Sequence, residues 1–231
     1  MSKLVLMGDY GSQPTRAVYC FLQINKVPFE FKEVRVFKLE QYSPEFKKVN
    51  PNAKVPAIAD DEVTMFESHT ILRYLHETRG LPDHWYPRSD LRKRAKIDEY
   101  LDWHHNGLRL GAGGYMFRKY ILPFTGKTAP KEAIEESLLI FRRSLALMET
   151  YWLKETPYLT GTEVTIADLS AACELAQTTA CAIFQDYPAK YPKVYAWLDR
   201  MLAIPEMKAV HDRVLPKLAQ FLKQSDEQAK L

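Results

Sequence analysis

Apolar and polar positions along the chain follow two regimes. Up to about residue 80, short apolar runs bounded by Gly, Pro and Asn alternate with helical patterns. Leu4-Val5-Leu6-Met7 reads as a buried strand, and Ala17, Cys20, Phe21 and Ile24, at i, i+3, i+4 and i+7, as the helix that follows it. Gly8 and Gly11 permit a tight turn and Pro14 marks a first helical turn, so Ser12 sits at a strand-to-helix junction. Pro28 to Val36 alternates as a second strand, and Ser43-Pro44-Glu45 opens a short helix. Asn50-Pro51-Asn52-Ala53 is a turn before a strand through Val55, Pro56 and Ala57. Asp60-Asp61-Glu62 makes a hairpin turn and Val63 to Phe66 returns. Glu67-Ser68 starts a helix that spaces Ile71, Leu72 and Leu75 for burial. A crossover unit, then a hairpin and a helix, predicts a small α/β domain with a mixed four-stranded sheet.

From Leu91 onward only helical patterns remain. Ile97, Tyr100, Leu101, His104 and Leu108 form one face; Leu138, Phe141, Leu145 and Met148 mark a long helix from Ala133 to Leu153, with a loop from Pro123 to Pro130 between them. Thr165-Ile166-Ala167-Asp168 is a Thr-x-x-Asp variant of the capping box and enters a helix through Leu169, Cys173 and Leu175. Tyr191-Pro192 opens another, through Val194, Trp197, Leu198 and Leu202. Pro205 and Pro216 are expected to punctuate two short terminal helices, and Gln224 to Leu231 to fray as a polar tail. Gly80, Pro82 and Pro87 mark a break. The expected organisation is an α/β domain over 1–81, a linker over 82–89 and an all-helical domain over 90–231.

Composition narrows the function classes. With 46% hydrophobic and 26% charged residues the chain reads as globular and soluble. A net charge of +3, with both signs interspersed, argues against nucleic acid as a partner. No apolar run approaches a membrane span, and Met1 to Met7 is too short and mixed for a signal peptide. Cys20, Cys173 and Cys181 lie inside apolar helical patterns with no C-x-x-C pair, which predicts buried, inert thiols in a reducing compartment and no metal site. Ala229-Lys230-Leu231 resembles a variant of a peroxisomal address, the alternative to a cytoplasmic location.

Three features of the first domain converge if it is thioredoxin-like: Ser12, Val55-Pro56 and Glu67-Ser68 then share one edge of the sheet. Together they suit a small γ-glutamyl peptide. Val55 exchanges main-chain hydrogen bonds with it, and a cis bond at Pro56 would turn the Val55 backbone outward for that purpose. Ser68 at a helix N-terminus holds a carboxylate, Glu67 accepts from an ammonium group, and Lys54 neutralises a second carboxylate. Taken singly each feature has a plainer reading, as an N-cap, a turn or a solvated lysine.

The chain resembles the cytosolic glutathione transferases, and within them the theta class. The stretches that carry this are Ser12-Gln13-Pro14-Thr15-Arg16-Ala17-Val18-Tyr19, Val49 to Ala57, Glu67-Ser68 before Ile71-Leu72-Arg73-Tyr74-Leu75, His84-Trp85-Tyr86-Pro87, Asp98 to His104, and Tyr158-Leu159-Thr160-Gly161 with Thr165 to Leu169. The resemblance implies a thioredoxin-like domain followed by an all-helical one, a homodimer, and glutathione as co-substrate with no bound cofactor. It implies Ser12 as the catalytic serine, Lys54, Val55, Pro56, Glu67 and Ser68 as glutathione contacts, and Arg109 as an arginine that helps bind or activate the thiol. Gln41 stands where the class usually has a histidine for the glycyl carboxylate; it donates a hydrogen bond but carries no charge. Tyr10 is the rival donor to Ser12 and a candidate, with Trp103, Tyr115 and Met116, for the electrophile pocket; at helical spacing the latter three also read as core.

The expected chemistry is stabilisation of the glutathione thiolate by a Ser12 hydroxyl donor, the helix N-terminus behind it and the charge of Arg109. It serves attack on small hydrophobic electrophiles in detoxification, with hydroperoxide reduction or halide displacement as further reactions. The competing readings are a non-catalytic scaffold of the same fold, towards which Gln41 leans, and a glutaredoxin-like oxidoreductase, disfavoured because Ser12 is not a cysteine.

Overall fold

A computed structural model describes residues 4–61, 63–181 and 187–228. They form two compact units, divided between Tyr86 and Pro87. In the first, β1 (Val5–Gly8), β2 (Glu30–Glu33), β3 (Ala57–Asp60) and β4 (Val63–Phe66) make one sheet in the order β2-β1-β3-β4. β2 runs parallel to β1, β3 antiparallel to β1, and β4 antiparallel to β3. The helices are α1 (Gln13–Ile24), α2 (Pro44–Val49) and α3 (Ser68–Thr78).

Side-chain parity sorts the two faces of the sheet. Met7 and Ala57, paired in register, join Val34 and Phe46 of α2 in one buried cluster. Leu6 and Ile58, paired one residue on, are fully buried on the opposite face, where α1 and α3 pack on each other. β2 is shorter than the Pro28 to Val36 alternation predicts. It is an edge strand whose Glu30, Lys32 and Glu33 are exposed, and such charges discourage further strand pairing. Trp85 and Tyr86, in the expected linker, are buried in this first unit. The Trp85 indole packs edge-on to Phe21 and donates to Asn25 Oδ1 at 2.9 Å.

The second unit is helical among its described residues. α4 (Leu91–Asn106) stops at Gly107, and the chain continues through a π-helical turn, Arg109–Gly113, one α turn, α5 (Gly114–Met116), and a second π turn, Phe117–Ile121. Glycines at 107, 111, 113 and 114 explain the irregularity: they weaken helical preference and open space for neighbours. A Cβ on Gly111 would lie 2.5 Å from the backbone nitrogen of Phe141, so this stretch packs backbone to backbone with α6 (Lys131–Leu147). α7 (Ile166–Thr178) is buried along its whole length. Its capping Asp168 accepts from Leu159 N, Thr165 N, Thr165 Oγ1 and Trp197 Nε1 at 2.9–3.0 Å. Burial raises the pKa of this carboxyl against the downward pull of those donors.

α8 (Pro192–Leu202) begins as expected, but the end of the chain does not. One helix, α9 (Pro205–Gln228), replaces the two short ones, with Pro216 inside it. Pro216 is exposed, so water can satisfy the carbonyl its missing N–H leaves behind. The polar tail is also tied down: Leu222 is core, and Asp226 accepts from Tyr120 Oη at 3.2 Å and pairs with Lys119 at 2.9 Å. Ala229-Lys230-Leu231 lies outside the described residues. No described helix is long and apolar enough to cross a membrane.

Candidate active site

Strand directions decide which loops meet. Gly8 at the end of β1 pairs with Glu33 at the end of β2; Met7 pairs with Ala57 at the start of β3; Ala57 pairs with Phe66 at the end of β4. The loops after β1, after β2, before β3 and after β4 therefore leave from one end of the sheet. Ser12, Val55-Pro56 and Glu67-Ser68 lie within a few residues of it, and Gln41 lies on the connection that follows β2. The N-termini of α1 and α3 start there too, and the positive end of a helix dipole suits an anion.

Ser12 is the N-cap of α1, with φ −83° and ψ 121°, and is half-buried. Its Oγ accepts from Thr15 N at 3.4 Å, a long bond, which leaves the hydroxyl proton to be donated elsewhere. The loop before it is built by residues that the periodicity did not single out. Asp9 O accepts from Ser12 N at 2.9 Å, while the Asp9 carboxylate accepts from Gly11 N at 2.7 Å and Val36 N at 2.9 Å. Arg16, fully buried, donates from Nη1 to Tyr10 O at 2.8 Å. Gly8 serves packing rather than turn geometry: its φ is not positive, but a Cβ there would overlap the buried Thr15 side chain and come 2.8 Å from its Oγ1.

Before β3, buried Asn50 shapes the loop. Its Nδ2 donates to Lys54 O at 2.6 Å and its Oδ1 accepts from Asn52 N at 2.9 Å. The Val55–Pro56 bond is cis, and the ladder of β3 begins only at Ala57, so the sheet does not use the Val55 backbone. Lys54 is exposed and Pro56 buried. Glu67 precedes α3 with φ +73°, a conformation costing on the order of 1–3 kcal/mol in a non-glycine residue, and its side chain is exposed. Ser68, the first residue of α3, is buried. Gln41 is also buried, and its Oε1 has no hydrogen-bond partner among the described residues.

In the helical unit Arg109 opens the first π turn and pairs through Nη1 with Glu174 Oε2 at 2.7 Å. Of the expected electrophile-pocket residues, Tyr115 and Met116 are buried and Tyr10 and Trp103 are half-buried. Tyr115 and Met116 belong to a buried cluster with Tyr120, Cys181 and Leu222, and Cys181 Sγ touches Met116 Sδ at 3.0 Å. The Trp103 ring packs against Tyr100 and Trp152. In the first unit the Tyr10 ring packs on Tyr19 and Phe31. Tyr115 and Met116, at helical spacing, are core, and Tyr10 joins an aromatic cluster beside the edge strand.

The family models "Glutathione S-transferase, N-terminal domain" and "Glutathione S-transferase, C-terminal domain" match residues 8–77 and 131–200. Glutathione S-transferase T1 of Arabidopsis thaliana is 45% identical over 77% of this chain and 73% of its own length. The chain belongs to the glutathione S-transferase family. Glutathione S-transferase T2 of the same plant is 39% identical over 97% of this chain, which spans only 39% of that longer protein. Human glutathione transferase theta-2, solved in complex with glutathione and an unknown ligand, superposes with a TM-score of 0.87 at 35% identity, covering 96% of this chain and 91% of that one. That human protein is theta-class, and so is glutathione S-transferase theta-3 of Mus musculus, 39% identical over 87% of this chain and 82% of its own length, in keeping with the Ser-Gln-Pro and His-Trp-Tyr-Pro stretches.

For a glutathione S-transferase the notable additions are Asp9, Arg16 and Asn50, which hold the loops carrying Ser12 and Val55. Asp9 within the Gly8-Asp9-Tyr10-Gly11 turn and Asn50-Pro51 before a strand were the available signals, since Asx side chains commonly bond their own loops. Nothing in the sequence marked Arg16, because a buried arginine on a helix looks like a solvated one until its neighbours are placed.

Proposed function

We propose that this chain binds glutathione at the shared end of the sheet, activates its thiol as the thiolate and conjugates it to small hydrophobic electrophiles. The observation that carries this is the register itself, which brings Ser12, Val55 and Glu67-Ser68 to one end beside two helix N-termini. On this reading Val55 pairs with the peptide backbone, Ser68 N–H and hydroxyl hold the γ-glutamyl carboxylate, and Glu67 accepts from the ammonium group. Lys54 and Gln41 serve the glycyl carboxylate; a half-turn of the Gln41 amide presents Nε2 where the unpartnered Oε1 stands. Ser12 donates to sulfur and Arg109 adds positive charge. A cytoplasmic homodimer acting in detoxification is the setting we infer.

Free cysteine has a pKa of about 8.5, so each unit by which the site lowers it reflects about 1.4 kcal/mol of preferential thiolate binding. The test is a titration of thiolate absorbance for glutathione bound to the full chain. An apparent pKa at least one unit below that of the free tripeptide, with turnover of a chlorinated aromatic electrophile, is the expected result. Bound glutathione with an unshifted thiol and no conjugation would assign the chain to the scaffold reading.

A further inference from the structure

We propose that Gln41 makes the subsite for the C-terminal residue of the thiol peptide nearly indifferent to charge, so that the co-substrate class extends to γ-glutamyl-cysteinyl peptides ending in an uncharged amide or hydroxyl; this rests on the proposed placing of Gln41 and Lys54 at that residue. Gln41 lies on the connection between β2 and α2, in a short turn over Glu40–Tyr42. Two contacts hold this connection. The Glu40 carboxylate accepts from Arg35 N at 2.8 Å and from Arg35 Nε at 2.7 Å, closing the turn on itself. Val36 N donates to the Asp9 carboxylate at 2.9 Å, which fastens the same connection to the loop of Ser12. Gln41 itself is 6% exposed, and its Oε1 is buried with no partner among the described residues.

A buried acceptor without a partner is unfavourable and calls for a donor. A primary amide carries both roles on one rotor, an acceptor oxygen and two N–H donors, whereas a cationic side chain has donors only. As it stands, Gln41 Oε1 accepts from a carboxamide N–H₂ or a hydroxyl. Turned by half, the same group donates to a carboxylate. The cations of this connection and of α2, Arg35, Lys38, Lys47 and Lys48, are exposed, and so is Lys54. Arg16 is buried, but it lies on α1 and donates to Tyr10 O. An exposed ion pair shifts affinity by no more than about 5-fold, because water and salt screen it. Removing one charge from a buried pair weakens binding by about 30-fold or more. Lys54 in water beside a neutral Gln41 therefore predicts a weak preference for the carboxylate, not a strict one.

The probes are glutathione and glutathione amide, in which a carboxamide replaces the glycyl carboxylate. Dissociation constants, and kcat/KM with one chlorinated aromatic electrophile, are measured for both peptides on the full chain at low and high salt. The expected result is a ratio between the two peptides within about 5-fold, shrinking as salt rises. Lys54→Met should bring that ratio close to one. Gln41→Leu, which removes both hydrogen-bonding ends, should weaken the two peptides alike, by about 3- to 10-fold. A preference for glutathione over its amide above about 10-fold in the parent chain would overturn the inference, and that comparison requires no variant. A Gln41→Leu chain that binds both peptides as the parent does would overturn it too. If glutathione itself does not bind, or binds with an unshifted thiol and no conjugation, the proposed function fails first and this extension with it.

Discussion

Ser12→Ala separates the observed capping role of one hydroxyl from its proposed role as donor to the thiolate. Its structural share is small: the Oγ to Thr15 N bond of the α1 cap is 3.4 Å long, at the weak limit of hydrogen bonding. Capping losses run from about 0.5 to 2 kcal/mol, and this geometry belongs at the lower end. For a chain of this size about 0.5 kcal/mol lowers Tm by roughly 1–2 °C. The chemical share is larger. A hydrogen bond to a charged group is worth about 1.5–3 kcal/mol, so its loss raises the bound thiol pKa by about one to two units. Turnover at neutral pH should then fall about 10- to 100-fold. Glutathione affinity, which the proposed binding mode assigns to Val55, Glu67 and Ser68, should stay within about 3-fold. Calorimetric unfolding, thiol titration and steady-state kinetics on one preparation read all three quantities. A variant that loses turnover while its bound thiol still ionises as in the parent would refute the donor role.

Three further outcomes test the scaffold. Gly8→Ala places a methyl against buried Thr15 at the foot of α1, so a loss of about 1–3 kcal/mol should come with weaker thiol activation, because Ser12 shares that turn; full activity at parental Tm would contradict the packing argument. Asp168→Asn sets an amide N–H₂ against donors, since four N–H and O–H groups point at this carboxylate; Tm should drop by about 10 °C, and a change under 2 °C would show that the box is dispensable. Burial pushes the Cys181 thiol up from 9.0 to about 12, so the folded state holds its proton where the unfolded state has lost it. Stability should therefore decline as pH rises from about 9 towards 12, and Cys181→Ala should flatten that limb of the urea-midpoint profile; identical slopes would count against it.

The sequence by itself determined the succession of elements in the first unit, the division into an α/β and a helical part, and the theta-class motifs. Those features rest on local rules: alternation, helical spacing, proline at helix starts and Asx or glycine turns. It also placed the capping box, because Thr165 and Asp168 need only each other and their own backbone. Tertiary structure decided what depends on neighbours distant in sequence. β2 was cut short by its edge position, Pro216 was tolerated because its face is exposed, and Tyr115 and Met116 went to the core. The glycines at 107, 111, 113 and 114 read as poor helix formers, yet each makes room for another side chain or backbone. The pairing of Arg109 with Glu174 joins residues 65 positions apart, and only the packing of α7 beneath the π turn makes it visible.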